Sequence, residues 1–293
     1  MRILAGVSCV VLVDKPVGPT SFDIVRMARR GLRDKVGHAG TLDPFASGLL
    51  LVLVGQATRT SNLLMALPKE YEVVVQFGAT SSTADPTGEI TQTGGRVREA
   101  QVVGALEGFR GKITQRVPMT SAVKVDGEAL YRKAHRGETV ETPEREVMIH
   151  DLTLLGFDDE AQTARLVAVT GSGTYVRSLA EDLGEATGAG AYAASLRRTR
   201  SGGFCVQDAL SPDELSLEKY LAAGRGVLSL DDALAFLPAH EVGDREAHLA
   251  ANGNSLHGVP LGLFRAHGPE GLIGVYEGQG DVGRPLIVFP KVA

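Results

Sequence analysis

The sequence predicts an α+β body followed by a small, all-β C-terminal module. Three observations predict it. Apolar runs of strand length, such as Val10–Val13 and Leu49–Val54, stand among segments whose apolar residues recur at helical spacing. Beyond about Leu237 the texture changes to short apolar stretches between turns rich in glycine, at Gly278, Gly280 and Gly283. The length, 293 residues, fits two domains at roughly 150 residues each. With 43% hydrophobic and 22% charged residues, the chain has a globular composition and enough length to bury a core without covalent staples.

Each element follows from local signals. Val10–Val13 runs into Asp14-Lys15-Pro16, a buried strand that stops at a turn. Thr20-Ser21 with Asp23, after Gly18-Pro19, opens a helix that ends near Gly31. Leu49–Val54 and Glu72–Phe77 read as strands, and Thr80 to Gly88 as a polar loop turning at Asp85-Pro86. Val102, Val103, Leu106 and Phe109 fall on one face of a helix ending at Gly111. Residues from about 112 to 148 are charged and interrupted by prolines and glycines, an excursion from the core. Strands follow near Val147–Phe157 and Ala164–Thr170, then a helix at Ser178–Ala186 and a strand pair around Ala191–Val206. Ser211-Pro212 opens another helix. The C-terminal stretches Leu272–Tyr276 and Leu286–Phe289 complete the expected all-β module, so the division is 1–236 and 237–293.

Composition excludes several function classes. Cys9 and Cys205 are too few for a disulfide framework or a cysteine-based zinc site. Met1-Arg2 is a short basic head without a small-residue cleavage site, and no run approaches about 18 apolar residues, so a soluble, cytosolic protein is expected. Formal net charge is −5, but it is unevenly spread: residues 1–204 carry 24 basic against 23 acidic residues, and 205–293 carry 6 against 12. Basic residues cluster at Arg26, Arg29, Arg30, Arg33 and Lys35, from Arg110 to Arg145, and at Arg197, Arg198 and Arg200. Local patches decide where phosphates bind, although any one cluster taken alone reads first as a solvated helix face or hairpin edge.

The densest unusual segment runs from Gly37 to Gly48, with three further signals inside it: Gly40, the Asp43-Pro44 pair and His38. Its glycines specify a backbone path that displays one carboxylate and one imidazole. Taken alone, Asp43 reads first as a turn former or helix cap, as most Asp-Pro aspartates are, and only second as a reacting group. No Gly-x-Ser-x-Gly elbow, P-loop or His-Glu-x-x-His is present, and Gly171-Ser172-Gly173 lacks the context of a dinucleotide site. The histidines have no cysteine partners at metal spacing. An enzyme built from this chain works with carboxylate, arginine and tyrosine, with no cofactor or metal.

The run Gly37-His38-x-Gly40-x-Leu42-Asp43-Pro44-x-Ala46-x-Gly48-x-Leu50 resembles the catalytic motif of the TruB family of pseudouridine synthases. Four further segments match in order: Leu12 to Ser21; Lys69-x-Tyr71 with Phe77 to Gly88; Ser121 to Gly127 with Tyr131; and Gly173 to Leu183 continuing to Arg198. The resemblance spans about residues 10 to 204. It implies the pseudouridine synthase fold, a mixed, mainly antiparallel sheet flanked by helices, and isomerisation of uridine at position 55 in the T-loop of tRNA. Residues 112–148 resemble an insertion that clamps the RNA arm. Residues 237–293 resemble, more weakly, a β-barrel-like PUA module, although their acidic balance departs from an RNA-binding surface.

In the family, the aspartate matching Asp43 is catalytic: uracil leaves C1′ of its ribose, rotates and is rejoined through C5. The carboxylate acts either as a nucleophile or as a base on the ribose, and both roles need it ionised in a shielded pocket. Arg177 matches the cation that would offset burial, by a bidentate grip on Asp43. Tyr71 matches the residue that stacks on the flipped base, and Tyr175 and Leu196 match residues lining the uracil pocket. His38 matches a residue engaging RNA, and Lys15 and Asp85 match residues supporting the pocket. The Arg110–Arg145 and Arg197-Arg198 groups are expected to meet phosphates. The implied partner is the tRNA T-arm, with no membrane, no obligate protein partner and a monomeric state. Three alternatives stay open: a guide-RNA-dependent homologue, a non-catalytic RNA-binding or tRNA-folding protein, and a glycosidase, which wants two positioned carboxylates.

Overall fold

The computed structural model describes residues 8–32, 34–138, 140–215 and 225–290. In chain order the first elements are β1 (Cys9–Lys15), α1 (Ser21–Leu32), β2 (Val36–Ala39), β3 (Ser47–Val54), α2 (Ser61–Ala66), β4 (Lys69–Phe77), β5 (Ala79–Ser81), β6 (Ile90–Gln92) and α3 (Glu99–Leu106). There follow β7 (Gly111–Arg116), β8 (Lys124–Val125), β9 (Glu128–Ala129), α4 (Leu130–His135), β10 (Glu144–Asp158), β11 (Thr163–Thr170), α5 (Val176–Ala186), β12 (Ala191–Ser201), β13 (Phe204–Cys205) and β14 (Val227–Ser229). One sheet takes the order β14-β1-β3-β12-β4-β11-β10-β7, with β2 added on β3 and β13 on β12. Its pairings are antiparallel except the short β3–β12 contact, which is parallel at Ser47↔Arg197 and Gly48↔Arg198. That mixed, mainly antiparallel arrangement is the one the sequence resemblance implies.

Burial explains which residues form which element. On β4, Val73, Val75 and Phe77 alternate inward and meet Val102 and Leu106 of α3 and Leu179 and Leu183 of α5. β1 and β3 are buried on both faces and accordingly read as continuous apolar runs. One face packs on Ile24, Val25 and Ala28 of α1, the other on Leu64 of α2. α1 starts where expected, because Asp23 N–H donates to Thr20 Oγ1 (3.0 Å) and Thr20 N–H donates to Asp23 Oδ2 (2.9 Å).

The structure departs from the sequence reading in several places. Val103 is 47% exposed and does not share the buried face of Val102 and Leu106, since the next helical position points about 100° away. The polar loop after β4 contains a small ribbon of β5 and β6. The stems of the excursion are ladder-paired in the main sheet, with Glu144↔Arg116 through Ile149↔Gly111, so only residues 117 to 143 leave it. After Ser211 a capping box opens a short 3-10 turn at Pro212–Glu214, and most of the expected helix beyond it lies outside the described residues, as does Arg33 of the first basic cluster.

Downstream lie β15 (Ala239–Glu241), β16 (Leu256–His257), β17 (Gly262–Gly268), β18 (Gly271–Gln279) and β19 (Val282–Val288), in the order β15-β17-β18-β19-β16, a five-stranded half-barrel. It is not all-β. A helix at Asp244–Ala251 covers it, with Ala250 buried and accepting a 2.8 Å bond from the Tyr276 hydroxyl. The short, alanine-rich stretch between Gly243 and Asn252-Gly253 carries that helix. Asp231, just after β14, joins the two sheets: it accepts from Arg265 and lies 2.8 Å from His267 Nε2, both on β17.

Candidate active site

The loop between β2 and β3 is held from three sides. Arg198, 2% exposed on β12, donates Nε to Leu49 O (2.7 Å), Nη2 to Gly40 O (3.1 Å) and Nη1 to Thr41 O (3.4 Å). Ser21, at the start of α1, donates its hydroxyl to Leu42 O (3.0 Å) and accepts from Leu42 N–H (2.8 Å). Gly48 lies so close to β12 that a Cβ would sit 2.2 Å from Arg198 O, and its φ of +104° disfavours any side chain. Gly40 also has positive φ, +95°. Gly37 does not: it is an ordinary strand residue paired with Leu53. Thus pinned, the loop presents Asp43 at a turn closed by Ala46 N–H on Asp43 O (3.1 Å).

Arg177 meets that carboxylate. The sequence separates them widely, but α5 delivers the guanidinium, 3% exposed, with Nε 3.0 Å from Asp43 Oδ2. The grip is not bidentate as expected. The other arm, Nη1, points to Asp85 Oδ2 (3.3 Å), Thr83 O (2.9 Å) and the Thr120 hydroxyl. One guanidinium therefore serves two carboxylates. Asp85 is buried and also accepts from the Thr83 hydroxyl (2.8 Å) and Thr87 N–H (2.9 Å), which keep it fixed. Burial raises the pKa of Asp43 above the usual carboxylate range, Arg177 opposes that rise, and the Asp85 charge adds to it.

Asp43 and Arg177 border a cavity of about 620 Å³, and Tyr71, Tyr175, Leu196 and His38 line the same space. Tyr71 comes from β4 and Leu196 from β12, so the sheet supplies one wall. Tyr175 is the residue before α5, and Phe22 of α1 and Tyr131 of α4 stand at the rim, 57% and 38% exposed. His38 Nδ1 is buried without a hydrogen-bond partner, and burial together with Arg198 lowers its pKa, which favours the neutral ring. Lys15 does not line the cavity. It is fully buried, donating Nζ to Pro19 O (2.8 Å) and Pro16 O (2.9 Å), and burial lowers its pKa to about 8 although the Asp43 charge pulls the other way. The cavity thus holds one carboxylate, one fixed guanidinium, one imidazole and three tyrosines, a set suited to gripping a flat polar ring beside an anionic group.

Sequence reasoning assigned Arg197 and Arg198 to phosphates, and the structure corrects this for Arg198, which is spent on backbone carbonyls. Arg197 makes a two-point pair with Asp14 (2.7 and 3.0 Å) but stays half-exposed. In the excursion, Arg136 is tied to Glu128 and Glu138, and Lys133 to Asp126. Sequence reasoning also missed Gln115, 1% exposed on β7, whose amide bonds both backbone groups of Tyr175. A glutamine in a strand carries no signal of its own; only the approach of β7 to α5 reveals it. Ser21 was visible, but as a helix-start residue rather than a loop clamp. No group of three or more metal-ligating side chains occurs among the described residues, and no described helix is long and apolar enough to cross a membrane.

Comparison with known proteins gives this geometry a family. Residues 28–176 match the TruB family pseudouridylate synthase N-terminal domain, and residues 177–235 match the tRNA pseudouridylate synthase B C-terminal domain. The chain belongs to the TruB family of pseudouridylate synthases. A protein of Thermobifida fusca named tRNA pseudouridine synthase B is 40% identical, across 96% of this chain and 98% of its own. One of the same name from Pseudomonas fluorescens is 38% identical, across 99% and 96%. Among solved structures, a chain of an H/ACA RNP bound to a substrate RNA containing 2′-deoxyuridine superposes with a TM-score of 0.73 at 23% identity, covering 97% of this chain and 85% of that one. A chain of the archaeal box H/ACA Nop10–Cbf5 complex gives 0.73 at 24%, covering 96% and 86%. These structures establish the fold: a pseudouridine synthase sheet with a C-terminal β module.

Proposed function

We propose that this chain isomerises uridine to pseudouridine in tRNA, at position 55 of the T-loop, with Asp43 as its catalytic residue. The observation that carries the reading is the Asp43–Arg177 contact at 3.0 Å, on the border of a cavity that Tyr71, Tyr175 and Leu196 also line. The names of the full-length relatives support the tRNA substrate. In this reading the target uridine leaves its stack and Tyr71 provides a replacement face, while Tyr175 and Leu196 confine the ring. Arg177 holds Asp43 ionised against its burial. The carboxylate then assists cleavage at C1′, either by attacking the sugar or by removing a ribose proton. The uracil turns within the pocket, C5 bonds to C1′, and the C5 proton leaves to solvent.

His38, between the buried Arg198 and the cavity, faces the RNA, and Lys15 and Asp85 keep the site in shape. Residues 1–236 form the catalytic unit, with 112–148 as an RNA clamp, and 237–293 a PUA-like RNA-binding unit. The two sheets, each with apolar clusters of its own, support that division. The enzyme works as a monomer in the cytoplasm, without cofactor or obligate protein partner. The test is tritium release from tRNA labelled at C5 of its uridines, using the purified chain alone. Release by wild type but not by Asp43→Asn, with tRNA affinity retained, is the expected result. Tight tRNA binding with no release by wild type overturns the reading.

A further inference from the structure

The excursion's root is fastened to the residues that face Asp43. Gln115, near the end of β7, donates Nε2 to Tyr175 O (3.2 Å) and accepts from Tyr175 N–H at Oε1 (3.0 Å). The side chain is 1% exposed, so no water competes for these bonds. Tyr175 stands at the N-terminus of α5 with extended backbone (φ −104°, ψ 107°) and no side-chain cap. Its N–H is one of the donors a helix start leaves open, and Gln115 satisfies it. One residue on, Arg116 O accepts from Ser178 Oγ (3.4 Å), and further along Thr120 accepts from Arg177. The stretch 115–120 therefore touches Tyr175, Arg177 and Ser178 in turn.

We propose that Gln115 is a positioning residue for the isomerisation: through the Tyr175 backbone it sets Tyr175 and Arg177 against Asp43, and so couples the seating of the excursion to turnover. The proposal rests on the function proposed above. The amide is required in both its halves, one accepting and one donating. A carboxylate of the same shape keeps the acceptor for Tyr175 N–H but turns a lone pair on Tyr175 O. Protonation of that carboxyl restores the donor.

Gln115→Leu and Gln115→Glu test this by C5 tritium release at saturating tRNA. Gln115→Leu is expected to lower kcat about tenfold or more, the rate equivalent of a lost pair of buried bonds, while KM changes little. Gln115→Glu is expected to recover towards wild type as pH falls from about 8 to about 5.5, where a buried carboxyl regains its proton, whereas the Gln115→Leu ratio stays flat. A wild-type kcat in Gln115→Leu, or a flat ratio in Gln115→Glu, overturns the proposal. Amide hydrogen exchange at Tyr175, read without RNA, separates it from the functional reading. Faster exchange in Gln115→Leu supports the clamp, and unchanged exchange overturns it. An inactive wild type strikes the functional reading and leaves the exchange result to judge the clamp.

Discussion

Arg177 is shared between two carboxylates: its Nε lies 3.0 Å from Asp43 Oδ2, while Nη1 lies 3.3 Å from Asp85 Oδ2. A guanidinium divided between two carboxylates cannot swing toward either without breaking the other contact. Asp85, itself held by Thr83 and Thr87, thereby fixes the angle at which the cation meets Asp43.

Replacing Arg177 changes the pH at which Asp43 ionises. Burial raises this pKa and Arg177 opposes the rise, so removing the cation raises it further. Arg177→Gln is expected to move the acid limb of the kcat/KM profile upward by about one pH unit or more, besides lowering its plateau. An acid limb left in place would show that the pair does not govern the reacting carboxylate.

Arg198→Met is expected to cost about 3 kcal/mol of stability in urea titration, because the carbonyls of Gly40, Thr41 and Leu49 lose a buried donor together. Activity should vanish with it even at temperatures where the variant is folded, since the Asp43 loop loses its anchor. A loss below about 1 kcal/mol would mean that other contacts hold the loop.

Two buried lysines predict stability that rises with alkaline pH. Lys15 and Lys69 each have their pKa lowered to about 8, chiefly by burial. Below that pH both are charged in folded and unfolded chains alike. Between about 8 and about 10 the folded chain releases protons that the unfolded chain keeps, so the free energy of unfolding increases. Thermal melts between those limits should show the rise, and Lys69→Met should reduce it by about half, leaving the share of Lys15. A decline across the same window in both proteins would contradict the assignment.

Basic residues in the excursion should differ in their effect on tRNA binding. Arg136 is already paired with Glu128 and Glu138, whereas Arg132 is exposed beside Tyr131 at the cavity rim. Arg132→Ala is expected to weaken affinity several-fold and to reduce the salt slope by about 1, while Arg136→Ala changes affinity less than about twofold. Filter binding across a salt series decides it, and equal losses would mean that the ion pairs open on binding.

Much of this was legible in the sequence. The unbroken apolar run Leu49–Val54 marks a buried strand, and Glu72–Phe77 marks another, though only the structure shows that its alternate residues face the core. The Gly37–Gly48 segment stands out by composition alone. Arg198 shows where such reading stops. Next to Arg197 and Arg200 it has the look of a phosphate contact, yet the parallel β3–β12 register carries it beneath the Asp43 loop, where it cannot reach RNA. The helix Asp244–Ala251 was missed because the glycine-rich turns further on, at Gly278, Gly280 and Gly283, dominate the pattern of the module.

Neighbours along the chain, then, were enough for the main-sheet strands β1, β3, β4, β10, β11 and β12, the start of α1, the turn that displays Asp43 and, through the motifs, the family. These depend on neighbours along the chain, on residue-specific dihedrals and on periodic burial. Only the tertiary structure decided which charges act and which merely hold. It divided Arg177 between Asp43 and Asp85, buried Arg198 among carbonyls, and set Gln115 on Tyr175. What a charged or polar side chain does is fixed by the dielectric around it and by partners a few ångströms away, and in each of these cases the partner comes from a distant part of the chain.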